Sequence, residues 1–262
     1  MTIWQAIVIF ISGFLAGAIN SVAGGGTLVS FPALVWIGID AKVANVTSTV
    51  ALWPGSLGGM VGFRRELAGS RRWMLLLAGP SILGGLVGAL LLLRTDAGTF
   101  ARMVPFLILF ATLLFAVGEP ISRRLRRSAE EKGNPSEGGT QSRAWWVGAA
   151  IFQFAVAVYG GYFGAGIGIL MLAALGLLGL TDIHQMNGLK NFFAVCINIV
   201  AAVYFILWGP VDWSSAVVMA AGSIAGGLGG AGLARKLGRP FVRRVVIIIG
   251  LAMALSLLLF RR

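Results

Sequence analysis

One cysteine and one histidine stand among 262 residues, and 9 acidic side chains face 21 basic ones. A single thiol, Cys196, allows neither a disulfide framework nor a thiolate metal cluster. A lone imidazole, His184, has no second histidine with which to form a metal site and is expected at a membrane interface. The acidic residues Asp40, Asp96, Glu119, Asp182 and Asp212 fall at the ends of apolar segments, so no buried carboxylate stands ready as a base or a proton carrier. These shortages argue against an intramembrane enzyme, and no cofactor is expected. Charge of either sign is scarce, 11% of the chain, whereas 58% is hydrophobic and the mean hydropathy is +0.89. Apolar runs of membrane-spanning length recur throughout, which defines an integral membrane protein.

The net charge of +12 raises the question of nucleic acid. The basic residues, however, sit in short loops between apolar runs, where positive charge marks the cytoplasmic side. A lipid bilayer is therefore the expected partner, and nucleic acid is not. Residues 3–19 lack a basic stretch ahead of them and have an internal counterpart near residue 160. They are read as a retained helix rather than a signal peptide.

The first apolar run is interrupted at Asn20-Ser21-Val22-Ala23-Gly24-Gly25-Gly26-Thr27. Consecutive glycines raise the cost of a continuous helix, and Asn and Ser compete for backbone hydrogen bonds. Two half-helices, 3–19 and 28–37, are predicted, each too short to cross a hydrocarbon core of about 30 Å. Residues 160–168 predict a second interruption, with Gly160, Gly161, Gly164, Gly166 and Gly168. Each break is followed by three apolar segments: 43–63, 73–93 and 103–117 in the first half, 181–207, 213–234 and 245–260 in the second. Residues 119–143 read as an unstructured cytoplasmic linker between membrane repeats 1–118 and 144–262.

The striped segments carry the chemistry. On a helix Asn187, Asn191 and Asn198 fall within about 40° of one another, with Lys190 about 60° to the other side of Asn187. A lysine inside an apolar run is costly and marks a substrate or ion path, unless it snorkels to the headgroups. The segment 44–58 aligns with 186–200 so that Asn45 matches Asn187, Ser48 matches Lys190, Thr49 matches Asn191 and Ser56 matches Asn198. Two matched stripes suggest facing walls of one site. Loop charge adds a topological constraint: basic residues follow the striped helix in the first half (64–72) but come one loop later in the second (235–244). Both lie inside only if each broken segment is a re-entrant hairpin. The fold class is then an all-α integral membrane protein of two inverted repeats, each a glycine-broken re-entrant hairpin plus three transmembrane helices.

A small anion suits such a chamber. Lys190 supplies the charge, half-helix N-termini at Gly24, Gly25, Gly26 and Thr27 and at Gly164 and Gly166 offer N–H groups and positive dipole ends, and Asn20, Asn45, Ser48, Thr49, Asn187, Asn191 and Asn198 add neutral hydrogen bonds. Thr49 and Ser56 are as well explained by bonds to their own helix carbonyls. Gln153, Tyr159 and Tyr162 lie near the second break and are candidates for lining the path.

Several motifs resemble the TauE/SafE family of membrane anion exporters. They are residues 17–27 with Pro32, Ala44-Asn45-Val46-Thr47-Ser48, and Leu52-Trp53-Pro54-Gly55-Ser56-Leu57-Gly58-Gly59 running to Arg64-Arg65-Glu66-Leu67. The second half contributes 160–168, Met186-Asn187-Gly188-Leu189-Lys190-Asn191 and Gly209-Pro210-Val211-Asp212-Trp213. The resemblance implies export of a small sulfur-containing oxyanion, sulfite or an organosulfonate such as sulfoacetate, across the bacterial inner membrane. A channel-like permease for another small anion and a non-transporting membrane assembly factor are the alternatives.

Overall fold

The computed structural model describes residues 1–22, 24–62, 67, 69–131, 143–178, 180, 182–230 and 239–259. Its described elements are all helical. In chain order they are α1 (Ile3–Val22), α2 (Thr27–Trp36), α3 (Ala41–Gly62), α4 (Arg71–Arg94) and α5 (Ala97–Glu131), then α6 (Arg143–Tyr162), α7 (Ile167–Leu177), α8 (Ile183–Trp208), α9 (Trp213–Ala225) and α10 (Arg239–Leu259). A five-residue π-helical segment, Gly226–Gly230, extends α9. Of the described helices, Ile3–Asn20, Arg71–Arg94, Ala97–Val117 and Ile183–Trp208 are long and apolar enough to cross a membrane. By contrast α2 and α7, with 10 and 11 residues, reach only about 15 Å and cannot span.

Direct contacts between helix ends fix how the elements run. At one end of the bundle, Lys42 Nζ donates to the Leu93 and Thr95 carbonyls at 2.9 and 2.7 Å. There too the Asp212 amide donates to Thr47 Oγ1 at 3.0 Å. The starts of α3 and α9 thus meet the end of α4. At the other end Gln185 Nε2 reaches Ser70 Oγ at 3.0 Å, and Trp73 stacks on Trp145 and Trp146 with centroids 6.0 and 5.2 Å apart. The starts of α4, α6 and α8 meet there. Helix α1 runs parallel to α9, because Gly13 and Gly17 lie against the Met219 and Ser223 carbonyls in that order. The hairpin α1–α2 therefore enters from the first end and α6–α7 from the second. Arg243 near the start of α10 donates to the carbonyls of Phe115 and Ala116 in α5. That contact brings the basic start of α10 to the same end as Arg71, Arg72 and Arg143.

Packing between the halves recurs with the partners exchanged. Helix α4 lies on α6 as α9 lies on α1, α4 on α8 as α9 on α3, and α5 on α7 as α10 on α2, while α3 meets α8 and α5 meets α10. Residue contacts follow the same rule. A Cβ on Gly84 or Gly88 would strike the Phe154 or Val158 carbonyl, and one on Gly222 or Gly226 the Phe10 or Phe14 carbonyl. Small residues at four-residue spacing permit this backbone approach where lipid supplies no hydrophobic drive between helices. Large apolar side chains such as Leu75, Phe106, Ile151, Leu207 and Ile248 are exposed around the bundle.

Several boundaries differ from those expected. The first break is shorter than Asn20–Thr27, because α1 continues through Val22. The second is confined to residues 163–166: Gly160 and Gly161 belong to α6 and Gly168 to α7. Gly161 is a packing glycine against the Gly85 carbonyl, a role its letter does not distinguish from a turn. Residues 119–131, read as the start of an unstructured linker, extend α5 to Glu131, because Arg, Leu, Ala and Glu there are strong helix formers. The remainder, 132–142, lies outside the described residues, as do Arg64, Arg65, Glu66, Arg235 and Lys236. Pro54 sits within an uninterrupted α3.

Candidate functional site

Both breaks converge with α3 and α8 on a cavity of about 40 Å³. The α1–α2 hairpin contributes Asn20, Gly24, Gly25 and Thr27, and the α6–α7 hairpin Gly164, Ile167 and Gly168. Helix α3 supplies Thr49, Leu52 and Ser56, and α8 supplies Lys190, Asn191, Ala194 and Asn198. Spacings of three and four residues put each helix's contribution on one face. Much of this wall comes in matched pairs from the two halves: Gly24 with Gly164, both at positive φ, Thr27 with Ile167, the first residues of α2 and α7, and Thr49 with Asn191, Leu52 with Ala194 and Ser56 with Asn198. Sequence reasoning missed the apolar members Leu52, Ile167 and Ala194, although the helical phase of Thr49 and Ser56 contains Leu52.

The glycines at the breaks are required by backbone geometry. Gly24, Gly25 and Gly164 have φ of +69°, +121° and +78°, a region that other residues rarely adopt. A Cβ on Gly24 would lie 3.2 Å from Gly168 Cα and 4.0 Å from Lys190 Nζ. The first break therefore touches the start of α7, with the lysine beside that contact.

Lys190 is only 1% exposed. It stands about 10 Å along α8 from its start and does not snorkel to a surface. Among the described residues it is the one charged side chain lining the cavity, which it shares with Asn20, Thr27, Thr49, Asn191 and Asn198; the Asn191 side chain is buried as well.

Not every expected contributor faces this space. Asn45 Nδ2 donates to the Tyr162 carbonyl at 2.9 Å, joining α3 to the end of α6. Asn187 Nδ2 donates to the Ile183 carbonyl of its own helix at 2.8 Å. Ser48 Oγ lies 2.6 Å from Ser30 Oγ and ties α3 to α2. Gly26 is wedged against the Ala16 carbonyl, and Gly166 sits at the N-cap of α7 with φ of +78°. All five flank the cavity without lining it. Ser48→Ala is accordingly expected to lower stability by about 1 kcal/mol and to leave anion binding within twofold, as measured by denaturation and binding on the same preparation.

The break at α2 is also less open to a ligand than its glycines suggest. Asn20 Oδ1 accepts from the Gly25 and Gly26 amides at 3.0 and 2.7 Å, so two N–H groups expected for an anion are already engaged. The α7 N-terminus has no such side-chain cap. Thr49 and Ser56 bond to the Asn45 and Leu52 carbonyls at 3.0 and 3.2 Å, the intrahelical alternative. Gln153 donates to Ser81, Tyr159 to the Ala165 carbonyl and Tyr162 to Thr95, so none of the three is part of the cavity wall. His184 is exposed at the start of α8.

Two acidic residues outside the spans, Asp96 and Asp212, have their pKa lowered. Hydrogen bonds from the Thr99 side chain and amide hold Asp96 below the usual carboxylate range. Burial works against charge on Asp212, but hydrogen bonds from Ser214 and Ser215 outweigh it and keep that pKa low as well. No cluster of three or more metal-ligating side chains occurs among the described residues.

An all-helical, multi-pass bundle with a buried polar chamber defines a membrane transporter rather than an enzyme, and relatives of the chain carry that description. The sequence matches the sulfite exporter TauE/SafE family over residues 9–257, and the chain belongs to it. It is 30% identical over 251 residues to a probable membrane transporter protein of Haemophilus influenzae, covering 94% of this chain and 91% of that one. Against the probable membrane transporter protein YfcA of Escherichia coli K12 the identity is 27%, covering 96% and 88%. Against YunE of Bacillus subtilis, also a probable membrane transporter protein, it is 26%, covering 93% and 95%. No solved structure matches the chain.

Proposed function

We propose that the protein is a secondary transporter exporting a small sulfur oxyanion across the bacterial inner membrane, with the anion held near the midplane between two inverted repeats. The observation that carries this reading is Lys190, buried in the wall of a chamber where both glycine breaks meet. A cation in the wall of a cavity favours an anionic ligand, and an oxyanion's oxygens accept charge-assisted hydrogen bonds from the ammonium and neutral ones from neighbouring Asn and Thr side chains. The uncapped α7 N-terminus adds a positive dipole end.

Opposite entry of the two hairpins supports inverted repeats, and the basic starts of α4, α6 and α10 at one end support placing that end in the cytoplasm. Proteoliposomes test both halves of the proposal. Labelled sulfite should show saturable counterflow accelerated by unlabelled anion on the far side. Single-channel currents would instead indicate a channel-like permease, and no flux at all an assembly factor. In the same vesicles, made with Cys196→Ser, cysteines introduced as Gly69→Cys and Lys236→Cys should react with an impermeant reagent from the same side. Labelling from opposite sides would overturn the inverted arrangement.

A further inference from the structure

Away from the chamber, the start of α4 brings charge and aromatic rings together. Residues 64–72 hold Arg64, Arg65, Arg71 and Arg72 against Glu66 alone, and the first turn of α4 has no acidic residue. Arg71 and Arg72 are both exposed. The Arg72 guanidinium lies 4.9 Å from the centroid of the Trp146 ring. That ring stands edge-on to Trp145 with centroids 4.8 Å apart, and Trp73 packs on both. Because α4 is long and apolar enough to span, its first turn falls at the membrane–water boundary, where tryptophan rings sit at headgroup level.

The surface beneath this cluster is apolar. Leu75, Leu76, Gly79, Ile82 and Leu83 follow Arg72 at helical spacing, so they share its face, and all are exposed. A surface for acyl chains thus begins about 5 Å, one turn, below the guanidinium. Gly79 is unlike the packing glycines of α4. A Cβ there would meet nothing within 4 Å, and the same holds for Gly148 on the neighbouring α6. Both leave room beside their helices.

We infer that Arg71 and Arg72, braced by the Trp73–Trp145–Trp146 cluster, bind the phosphate of an anionic phospholipid whose chains run down the exposed face of α4. A guanidinium offers paired N–H donors that match phosphate oxygens, and its attraction to the indole face holds it at that depth. A zwitterionic lipid has the same phosphate but adds a cation that two arginines repel. The inference is independent of what the chamber carries.

The test uses the purified full chain in mixed micelles with equimolar phosphatidylglycerol and phosphatidylcholine, and counts bound lipids by native mass spectrometry. Wild type is expected to retain phosphatidylglycerol about tenfold over phosphatidylcholine. The double variant Arg71→Gln/Arg72→Gln should bring that ratio close to one. Arg94→Gln, at the exposed opposite end of α4, should leave it unchanged. Equal loss in Arg94→Gln, or no loss in the double variant, would overturn the site. Trp146→Leu should lower the ratio by about threefold; an unchanged ratio would overturn the arginine–tryptophan site in favour of charge alone. Inorganic phosphate in excess should not displace the lipid, and displacement would overturn the part given to the acyl chains. All the substituted side chains are partly or fully exposed, so the variants are expected to fold.

Discussion

Lys190→Gln is expected to reduce anion flux by about two to three orders of magnitude. A neutral side chain of similar length keeps the packing of α8 but loses the charge. Binding then loses a charge-assisted interaction in a low-dielectric site, where removing one partner costs about 3–5 kcal/mol. Lys42 gives the opposite pattern and serves as the control. Its ammonium holds the last carbonyls of α4 through Leu93 and Thr95, so Lys42→Gln should lower stability by about 1–2 kcal/mol and leave flux intact. Counterflow and thermal unfolding on the same two preparations check the contrast. Retained flux in Lys190→Gln would remove the lysine from the transport cycle.

The second large effect falls on the first break. Gly25 combines φ of +121° with a ring packed where its side chain would be: a Cβ would overlap Phe115 at Cε2. Gly25→Ala should therefore destabilise by about 1–2 kcal/mol from backbone strain and by about 1–3 kcal/mol more from overpacking. Phe115→Ala alone should cost about 3–5 kcal/mol through the cavity it leaves. In the double variant the overlap vanishes but the strain persists, so the combined loss should fall short of the sum by about 1–3 kcal/mol. Strict additivity, measured by denaturant unfolding of all four proteins, would mean that the ring does not limit this turn.

The sequence made some of this arrangement legible and concealed the rest. Hydrophobic run length gave the spans, and the matched stripes at Thr49, Ser56, Asn191 and Asn198 gave two walls of the cavity, because helical phase follows directly from residue spacing. Asn45, Asn187 and Ser48 share those stripes yet bond elsewhere. Each is one turn or a sideways step from the cavity, and its partner lies on another element, or on its own backbone, that spacing alone does not reveal. Glycine was ambiguous for a physical reason. Gly164 permits a left-handed turn, whereas Gly161 permits two helices to touch, and both needs select the same residue. The capping of Gly25 and Gly26 by Asn20 was hidden likewise, since an asparagine ahead of a break serves equally well as ligand contact or as a substitute for the ligand. Arg123, Arg124, Arg126 and Arg127 suit an unstructured linker and the continuation of a helix equally well by composition, and α5 continues to Glu131.

The exchanged packing of the halves has a consequence for how the chain is made. The glycine stripe of α4 is covered by α6 and that of α1 by α9, so these close backbone contacts join a segment synthesised early to one synthesised late. After the ribosome has delivered residues 1–118, those grooves still face acyl chains, and neither moiety is a folding unit by itself. Maturation awaits the emergence of α9, and quality-control proteases encounter the nascent polypeptide with its seams open until then.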